Sequence, residues 1–258
     1  MKKAVHDFIV TENTALNATN FCIKLQSPTS LPPISPGQFV NVEIKNSDEV
    51  FLRRPFSIFE VDYEGNRLSL LVKILGRGSK KLTEIKTGEK LSLVYPLGKG
   101  FSMPEKTDKI LLIGGGSGVA PVLFLAKIAG LPPENVSILI GARTNEDHIG
   151  IEEYKQYGNI YFTSEDGSLG AKGYVTHHPV FKDQLQEFKK IYTCGPVLMM
   201  KSIAKEARRN NIFCEVSLEN LMACGFGVCL CCIEPTHDKG NACVCTEGPV
   251  FNINSLKW

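Results

Sequence analysis

The chain has 258 residues, of which 43% are hydrophobic and 22% charged, and this ordinary globular composition excludes disorder and collagen-like repeats. At about 100–200 residues per domain, the length fits one large domain or two modest ones. The formal net charge of +2 gives no support for a nucleic-acid binder. The unusual feature is the cysteines, because there are nine of them and six fall between Cys224 and Cys245.

The start of the chain argues against a secretory signal, because His6 and Asp7 interrupt any apolar segment after Lys2 and Lys3. The longest uncharged run, 110–126, is shorter than the ~20 apolar residues that a spanning helix needs, and it contains several glycines. We therefore expect no membrane association and a cytoplasmic location. In that compartment thiols stay reduced, and clustered cysteines more often bind metal.

The first hundred residues predict short strands separated by turns. Phe39–Ile44 alternates with period two, Arg67–Ile74 does nearly the same, and Tyr63–Arg67 between two strand signals indicates a hairpin connection. Arg53–Ile58 is interpreted as the end of a barrel strand. This pattern predicts a small antiparallel β-barrel over residues 1–100.

After residue 100 the pattern changes to alternating strands and helices. Lys109–Ile113 is a continuous apolar run typical of a buried parallel strand, and a glycine turn and a helix over Val119–Gly130 follow it. Further strand signals lead to a helix over Val197–Asn211. We predict a doubly wound α/β domain over 101–216 and a small third domain over 217–258 that holds the cysteines, which makes the fold class multidomain α+β.

The cysteine spacing is the most specific chemical signal. Cys224 to Cys229 is C-x4-C and Cys229 to Cys232 is C-x2-C, the plant-type spacing that wraps three thiolates around a [2Fe–2S] cluster while a fourth comes from elsewhere. Gly225 and Gly227 suit a backbone that curls around a cluster.

Two alternatives remain open for this segment. Cys231 would change the inner spacing to C-x-C, which disfavours it, whereas the choice of Cys245 over Cys243 as fourth ligand is not decided by spacing. A four-cysteine zinc site also uses C-x2-C pairs, although commonly as two separated knuckles. Uninvolved, buried cysteines are the least favoured interpretation.

Three further motifs are weak when taken singly. Arg53–Ile58 offers an arginine fork for a diphosphate, or simply a solvated strand end. The run 114–121, Gly-Gly-Gly-Ser-Gly-Val-Ala-Pro, lacks the Lys-Ser/Thr of a P-loop and the last glycine of G-x-G-x-x-G. Thr193–Pro196 contains Cys-Gly-Pro at a strand–helix junction.

In this order and spacing the three motifs together resemble the ferredoxin–NADP reductase superfamily. With the run from Met222 to Cys232 and the tail Cys245–Phe251, the whole chain is similar to the electron-transfer subunits of two-component, NAD-dependent dihydroorotate dehydrogenases. The resemblance implies FAD contacts at Arg54, Pro55, Phe56, Ser57, Val72, Lys73, Ile74, Gly78 and Ser79. It implies nicotinamide contacts at Gly114, Gly115, Gly116, Gly118 and Cys194, and cluster ligands at Cys224, Cys229, Cys232 and Cys245.

The resemblance also implies a function. NADH would reduce FAD, and the [2Fe–2S] cluster would pass single electrons to or from FMN in a separate catalytic subunit, in a heterotetramer of two plus two chains that serves pyrimidine (UMP) synthesis. No residue of this chain is then needed as a catalytic group on dihydroorotate. Cys194 remains equally open to interpretation as a packed strand-end thiol. Arg143 would suit NADPH and Glu146 or Asp147 would suit NADH, which the resemblance favours.

Two other functions compete with this one. The first is the flavin and [2Fe–2S] subunit of a ferredoxin:NAD(P) oxidoreductase or a sulfhydrogenase-type complex. The second, from another class, is a zinc-stabilised binding module on a catalytically idle α/β scaffold.

Overall fold

A computed structural model describes residues 3–45, 49–238 and 240–258. Its N-terminal part is a closed antiparallel barrel in the order β1-β2-β5-β4-β3-β6, as the alternating pattern predicts. The elements are β1 Ala4–Ala15, β2 Asn20–Gln26, β3 Phe39–Val42, β4 Arg54–Asp62, β5 Arg67–Lys73, α1 Arg77–Thr83 and β6 Lys90–Leu97. Inward-facing side chains such as Val40, Ile58, Leu70 and Leu93 fill the barrel and are almost fully buried.

The hairpin between β4 and β5 is confirmed, and Asn66 adopts the left-handed conformation (φ 53°) that the tight connection requires. The placement of Arg53–Ile58 at the end of a strand is wrong, because Arg54 begins β4. The strand starts there because Arg54 to Ser57 pair with β3, whereas the preceding Phe51 and Leu52 are exposed and outside any strand.

The second part is an α/β unit with a parallel sheet in the order β10-β9-β8-β7-β11-β12. Its elements are β7 Ile110–Gly115, α2 Val119–Ile128, β8 Val136–Ala142, β9 Asn159–Ser164, β10 Ala171–Lys172, β11 Lys190–Cys194, α3 Val197–Arg209 and β12 Phe213–Ser217. The strand order reverses between β7 and β11, and ligands of open α/β sheets bind at the carboxyl ends of strands at such a point. The predicted doubly wound fold is confirmed.

Helix α2 joins the barrel to the sheet. Every residue from Val119 to Ala126 is buried, and Phe124 packs into the barrel core while its neighbours pack on the sheet. At the same junction, Glu60 Oε1 of β4 accepts from Tyr154 Oη at 2.8 Å and pairs with Lys127 Nζ of α2 at 3.0 Å. These contacts hold the barrel and the sheet in a fixed position relative to each other.

The C-terminal segment contains β13 Ile233–Thr236, β14 Gly240–Cys243, α4 Val244–Glu247 and β15 Val250–Asn252. Strands β13 and β14 pair with each other, whereas β15 pairs antiparallel with β12 and becomes the seventh strand of the large sheet. The segment also bonds to the barrel, because Lys99 N donates to the Gly248 carbonyl at 2.5 Å. Residues 217–258 therefore share one core with the barrel and the sheet. Among the described residues, no helix has the length and apolarity to cross a membrane.

Candidate electron-transfer site

The cysteine loop after β12 curls so that backbone N–H groups point at sulfur atoms. Cys224 Sγ accepts from Phe226 N at 3.3 Å and from Cys229 N at 3.5 Å. Cys229 Sγ accepts from Cys231 N at 3.5 Å. The loop achieves this with left-handed backbone at Gly225 (φ 76°), Gly227 (φ 81°) and Leu230 (φ 57°), so two of these three positions carry glycine, as this conformation favours.

The fourth predicted ligand lies against the same loop. Cys245 Sγ accepts from Gly227 N at 3.2 Å, and Cys245 N donates to Cys232 Sγ at 3.3 Å. Cys232 and Cys245 are buried, whereas Cys231 is exposed. The sulfur atoms of Cys232, Cys243 and Cys245 lie within 4.8 Å of one another, so Cys243 is close to two of the predicted ligands.

The donor set fits an iron–sulfur cluster. The thiols of Cys232 and Cys245 lie together with that of Cys243, whereas Cys224 and Cys229 lie in the adjoining loop, whose Gly227 N donates to Cys245 Sγ. N–H groups that hydrogen-bond to sulfur stabilise the thiolate form that metal requires and tune its potential. The N–H groups of Phe226 and Cys229 lower the pKa of Cys224 to about 6. Burial, by contrast, raises the pKa of Cys245 to about 12, and a metal ion would offset the cost of that buried thiolate.

The glycine turn that follows β7 is sterically closed on one side. A Cβ added to Gly118 would lie 2.4 Å from both the carbonyl carbon and the oxygen of Cys194, and one added to Gly114 would lie 2.8 Å from the Cα of Val119. Cys194 itself is fully buried, and burial raises its thiol pKa well above the usual value. The thiol is thus packed at the strand end, and the turn rests on its backbone.

A cavity of about 520 Å³ opens beyond this turn at the carboxyl ends of β7, β8 and β9. Gly115 and Gly116 form part of its lining, Lys73 reaches it from the barrel, and Thr163 at its base is fully buried. A volume of this size holds a small ligand or part of a dinucleotide. The predicted nicotinamide glycines 115 and 116 therefore face an open site.

Charged groups at the far end of the cavity bear on the choice of dinucleotide. Arg143 Nε pairs with Asp147 Oδ2 at 3.2 Å, and Glu165 adds a second carboxylate to the lining. The Arg143 side chain is 74% exposed, so this pair and the second carboxylate only partly offset the charge that would attract a 2′-phosphate.

The predicted flavin segment brings β4 and the start of α1 together. A Cβ on Gly78 would lie 3.2 Å from Arg54 Nε, so the two predicted phosphate contacts are neighbours. Within the described part of the chain, Arg54 Nη1 donates to the carbonyls of Leu52 and Arg53, at 2.8 and 3.4 Å. Ser79 Oγ is occupied within the turn, because it accepts from Leu75 N at 2.8 Å.

The two arginines of the motif have separate positions. Arg53 is bound inside the barrel wall, where its Nη1 donates to the Ser92 carbonyl at 2.8 Å and its Nη2 to Ser92 Oγ at 2.9 Å. Arg54 is the one whose guanidinium stays at the open side. The residues present thus fit a flavin diphosphate through Arg54 rather than through a fork of both arginines.

Of the predicted contacts, Val72 and Lys73 end strand β5 beside the glycine turn, and Ile74 follows the strand. Val72 is fully buried, Ile74 N donates to the Thr19 carbonyl at 2.8 Å, and Lys73 Nζ would lie 3.5 Å from a Cβ on Gly116. Strand β5 therefore brings the predicted flavin and nicotinamide segments together.

One charged residue beside the glycine turn is missing from the sequence predictions. Glu219 lies between β12 and the cysteine loop and accepts from Ser117 Oγ at 3.5 Å. Desolvation by the surrounding protein raises the pKa of Glu219, although Ser117 and the nearby charge of Lys73 oppose this. No spacing rule marks a single glutamate, so only the fold shows that it meets the glycine turn.

Three family models match successive parts of the chain. They are an oxidoreductase FAD-binding domain over residues 7–101, an oxidoreductase NAD-binding domain over 112–205, and the iron–sulfur cluster binding domain of dihydroorotate dehydrogenase B over 219–257. The last match favours the iron–sulfur interpretation of the cysteines over the zinc module.

Curated relatives match nearly the full length. The "Dihydroorotate dehydrogenase B (NAD(+)), electron transfer subunit" of Fusobacterium nucleatum subsp. nucleatum is 35% identical over 98% of each chain. The protein of the same name from Shouchella clausii is 31% identical over 99% of each chain.

Solved structures agree with the fold. A chain from an NADH-dependent reduced ferredoxin-NADP oxidoreductase superposes with a TM-score of 0.84 at 27% identity, covering 97% of this chain and 90% of that one. The ferredoxin reductase of carbazole 1,9a-dioxygenase, at 23% identity and a TM-score of 0.70, covers 82% of this chain and 67% of its own, and supports the fold alone. With curated relatives above 30% identity over nearly their whole length, the chain belongs to the family of electron transfer subunits of dihydroorotate dehydrogenase B (NAD(+)).

Proposed function

We propose that the chain carries electrons between NAD(H) and the FMN of a dihydroorotate dehydrogenase catalytic subunit, in the synthesis of pyrimidines. The observation that carries the proposal is the packing of the cysteine segment. Phe39, Val94 and Leu97 of the barrel share one core with Cys232 and Cys245. The barrel wall that bears the proposed flavin segment therefore also packs against the cysteine segment.

We assign the three tasks to residues 1–100 for FAD, 101–216 for NAD and 217–258 for the cluster. Bound FAD accepts a hydride as an electron pair, and a [2Fe–2S] cluster carries single electrons. The proposed ligands of the cluster are Cys224, Cys229, Cys232 and Cys245. Proposed FAD contacts are Arg54, Pro55, Phe56, Ser57, Val72, Lys73, Ile74, Gly78 and Ser79, and proposed nicotinamide contacts are Gly114, Gly115, Gly116, Gly118 and Cys194.

Each segment has a separate physical role. Arg54 supplies a cation for the flavin diphosphate, and the glycine turn lets a dinucleotide approach the backbone. Asp147 accepts from a ribose 2′-hydroxyl and repels a 2′-phosphate, so the substrate is NADH. No side chain of this chain needs to act on dihydroorotate. The cytoplasm is the proposed compartment, because the ligand thiols must remain reduced.

The proposed partner docks on the cysteine loop. Val228, Leu230 and Phe226 are 80%, 57% and 42% exposed, and such apolar groups beside a one-electron carrier suit a protein that receives electrons. We propose an assembly of two catalytic and two electron-transfer chains. Light scattering of the purified complex gives its mass, and a one-plus-one mass contradicts the stoichiometry.

The experiment mixes the anaerobically purified chain with an FMN-containing catalytic subunit, dihydroorotate and NAD⁺. We expect NADH to form only when both proteins are present. A catalytic subunit that reduces NAD⁺ equally well alone, or no NADH from the complete mixture, refutes the proposal. Cys232→Ser in the same mixture is the matched control, because it keeps the barrel and the sheet but removes a proposed ligand.

A second candidate is a component of a ferredoxin:NAD(P) oxidoreductase. The superposition with such a protein over 97% of the chain favours it specifically. The same purified chain distinguishes the two functions. NADH-driven reduction of ferredoxin, without stimulation of dihydroorotate-dependent NAD⁺ reduction, would support the second.

A further inference from the structure

Asn41 is a polar residue in the middle of a barrel strand. Its neighbours Val40 and Val42 point into the barrel core, so Asn41 faces outward with Phe39. It is nevertheless only 1% exposed, because the cysteine segment covers this face.

The amide of Asn41 supports the first residue of the cysteine loop. Asn41 Nδ2 donates to the carbonyl of Cys224 at 3.2 Å. A Cβ on Gly225 would lie 2.7 Å from the same Nδ2, so the loop backbone rests directly on the amide. The carbonyl of Cys224 can only accept a hydrogen bond, so the amide of Asn41 turns its Nδ2 and not its Oδ1 towards it.

The oxygen of the Asn41 amide lowers the stability of the barrel. Asn41 Oδ1 is buried and has no hydrogen-bond partner among the described residues. An unsatisfied buried acceptor costs about 1–3 kcal/mol, and a leucine of similar size would avoid that cost. The barrel therefore gains nothing from asparagine here, and the bond to Cys224 is its evident use.

Asn41 also contacts the proposed flavin strand. It is the direct cross-strand partner of Pro55, and its carbonyl accepts from Arg53 Nη1 at 3.4 Å. One residue thus contacts the strand proposed to bind FAD through its backbone and the carbonyl of a proposed cluster ligand through its side chain.

We propose that Asn41 is a positioning residue that fixes Cys224, and with it the cluster, relative to the flavin strand. This inference rests on the proposed function. The step that it supports is the passage of one electron from reduced flavin to oxidised cluster, in which no bond forms or breaks. Outer partners of metal ligands typically change affinity or activity 10–100-fold when they are removed.

The test compares Asn41→Leu and Asn41→Asp with the wild-type chain in anaerobic stopped-flow mixing with NADH. For Asn41→Leu we expect flavin reduction at the wild-type rate and cluster reduction about 10-fold slower. Asn41→Asp keeps the shape but replaces the donor with an oxygen and adds negative charge. We expect it to shift the reduction equilibrium of the cluster about 10-fold towards the oxidised form, equivalent to about −59 mV for one electron.

The matched control is Asn13→Leu. Asn13 on β1 also donates through Nδ2 to backbone carbonyls, those of Thr83 and Ile85 at 2.9 and 2.8 Å, and its Oδ1 is likewise buried without a partner among the described residues. Both of these bonds lead to the end of α1 and the segment after it, and not to the cysteine loop. We expect Asn13→Leu to keep wild-type cluster kinetics and potential.

The outcomes separate the two proposals. A wild-type chain without iron overturns both of them. A wild-type chain with a cluster, together with Asn41 variants of unchanged cluster potential and kinetics, overturns the positioning role alone. Asn41→Leu that loses flavin as well as cluster, while Asn41→Asp matches the wild type, shows a packing role and also overturns it.

Discussion

Replacing Gly118 with alanine tests whether the glycine turn is clamped against Cys194. Gly118 has φ −65°, which any residue adopts, so the penalty is purely steric. The added Cβ would lie 2.4 Å from the carbonyl carbon and oxygen of Cys194 and 2.5 Å from Gly195 N. Favourable carbon contacts need about 3.5–4.0 Å, so backbone must move by roughly 1 Å.

Overpacking of this kind costs about 1–3 kcal/mol, and the upper end applies because every clashing atom belongs to the backbone. At about 2–4 °C per kcal/mol for a chain of this size, a cost of about 3 kcal/mol lowers Tm by about 6–12 °C. Circular dichroism of the anaerobic holoprotein measures the shift. We also expect weaker NADH binding, because the displaced turn borders the cavity.

Gly116→Ala is the matched control, because its strain has a different origin. Gly116 has φ 57°, and the single described atom within 4 Å of a Cβ there would be Lys73 Nζ, at 3.5 Å. The left-handed conformation costs about 1 kcal/mol, which lowers Tm by about 2–4 °C. A Gly118→Ala protein that melts within 2 °C of the wild type, or above Gly116→Ala, would refute the steric reasoning.

Four further substitutions test the site and the fold. We expect Cys232→Ser to abolish the cluster and Cys231→Ser to retain it, because Cys232 Sγ accepts from the N–H of Cys245 and Cys232 completes the C-x2-C spacing with Cys229. Iron content and visible absorption measure the cluster, and the reverse result changes the ligand set. Asp147→Asn removes the carboxylate that pairs with the guanidinium of Arg143. We expect the ratio of kcat/KM for NADPH to kcat/KM for NADH to rise about 10-fold. An unchanged ratio contradicts the role assigned to Asp147. Asp108→Asn breaks a buried pair with Lys190 (2.9 Å) and costs about 3 kcal/mol at pH 7. Burial opposes ionisation of Asp108, but the bonds from Lys190 and from the Glu105 amide lower its pKa below 3.8. This stabilisation is therefore present above pH 3.8 and is lost as pH falls through the lowered value, so unfolding of wild type and variant should converge only in acid. A constant difference down to pH 3 contradicts the reasoning.

Much of the fold was predictable because short segments of the sequence show the hydrophobic patterns of their strands and helices. The apolar residues of Arg67–Ile74 and the apolar run before the glycine turn are each visible in a short window of sequence, and both became strands, although Leu68 to Val72 are all buried and do not alternate. Strand β15 was not predictable, since its three residues have no period and its pairing with β12 is a long-range contact.

The residues of the site likewise fall into those that local sequence reveals and those that only the fold brings together. Cysteine spacing is local, so the ligand loop was found from sequence, whereas the proximity of Cys243 to Cys232 and Cys245 depends on the pairing of β13 with β14. Asn41 lies 183 residues from Cys224 in sequence. Nothing around an asparagine in a strand indicates a partner that distant, so this contact required the fold.

The most direct test of the account is anaerobic reduction of the purified chain by NADH, followed by visible and electron paramagnetic resonance spectroscopy. The account predicts one FAD and about two iron atoms per chain, loss of flavin absorbance on mixing, and a reduced [2Fe–2S] signal that Cys232→Ser eliminates. A colourless protein that contains zinc, or a flavoprotein whose NADH reduction produces no iron–sulfur signal, would contradict it.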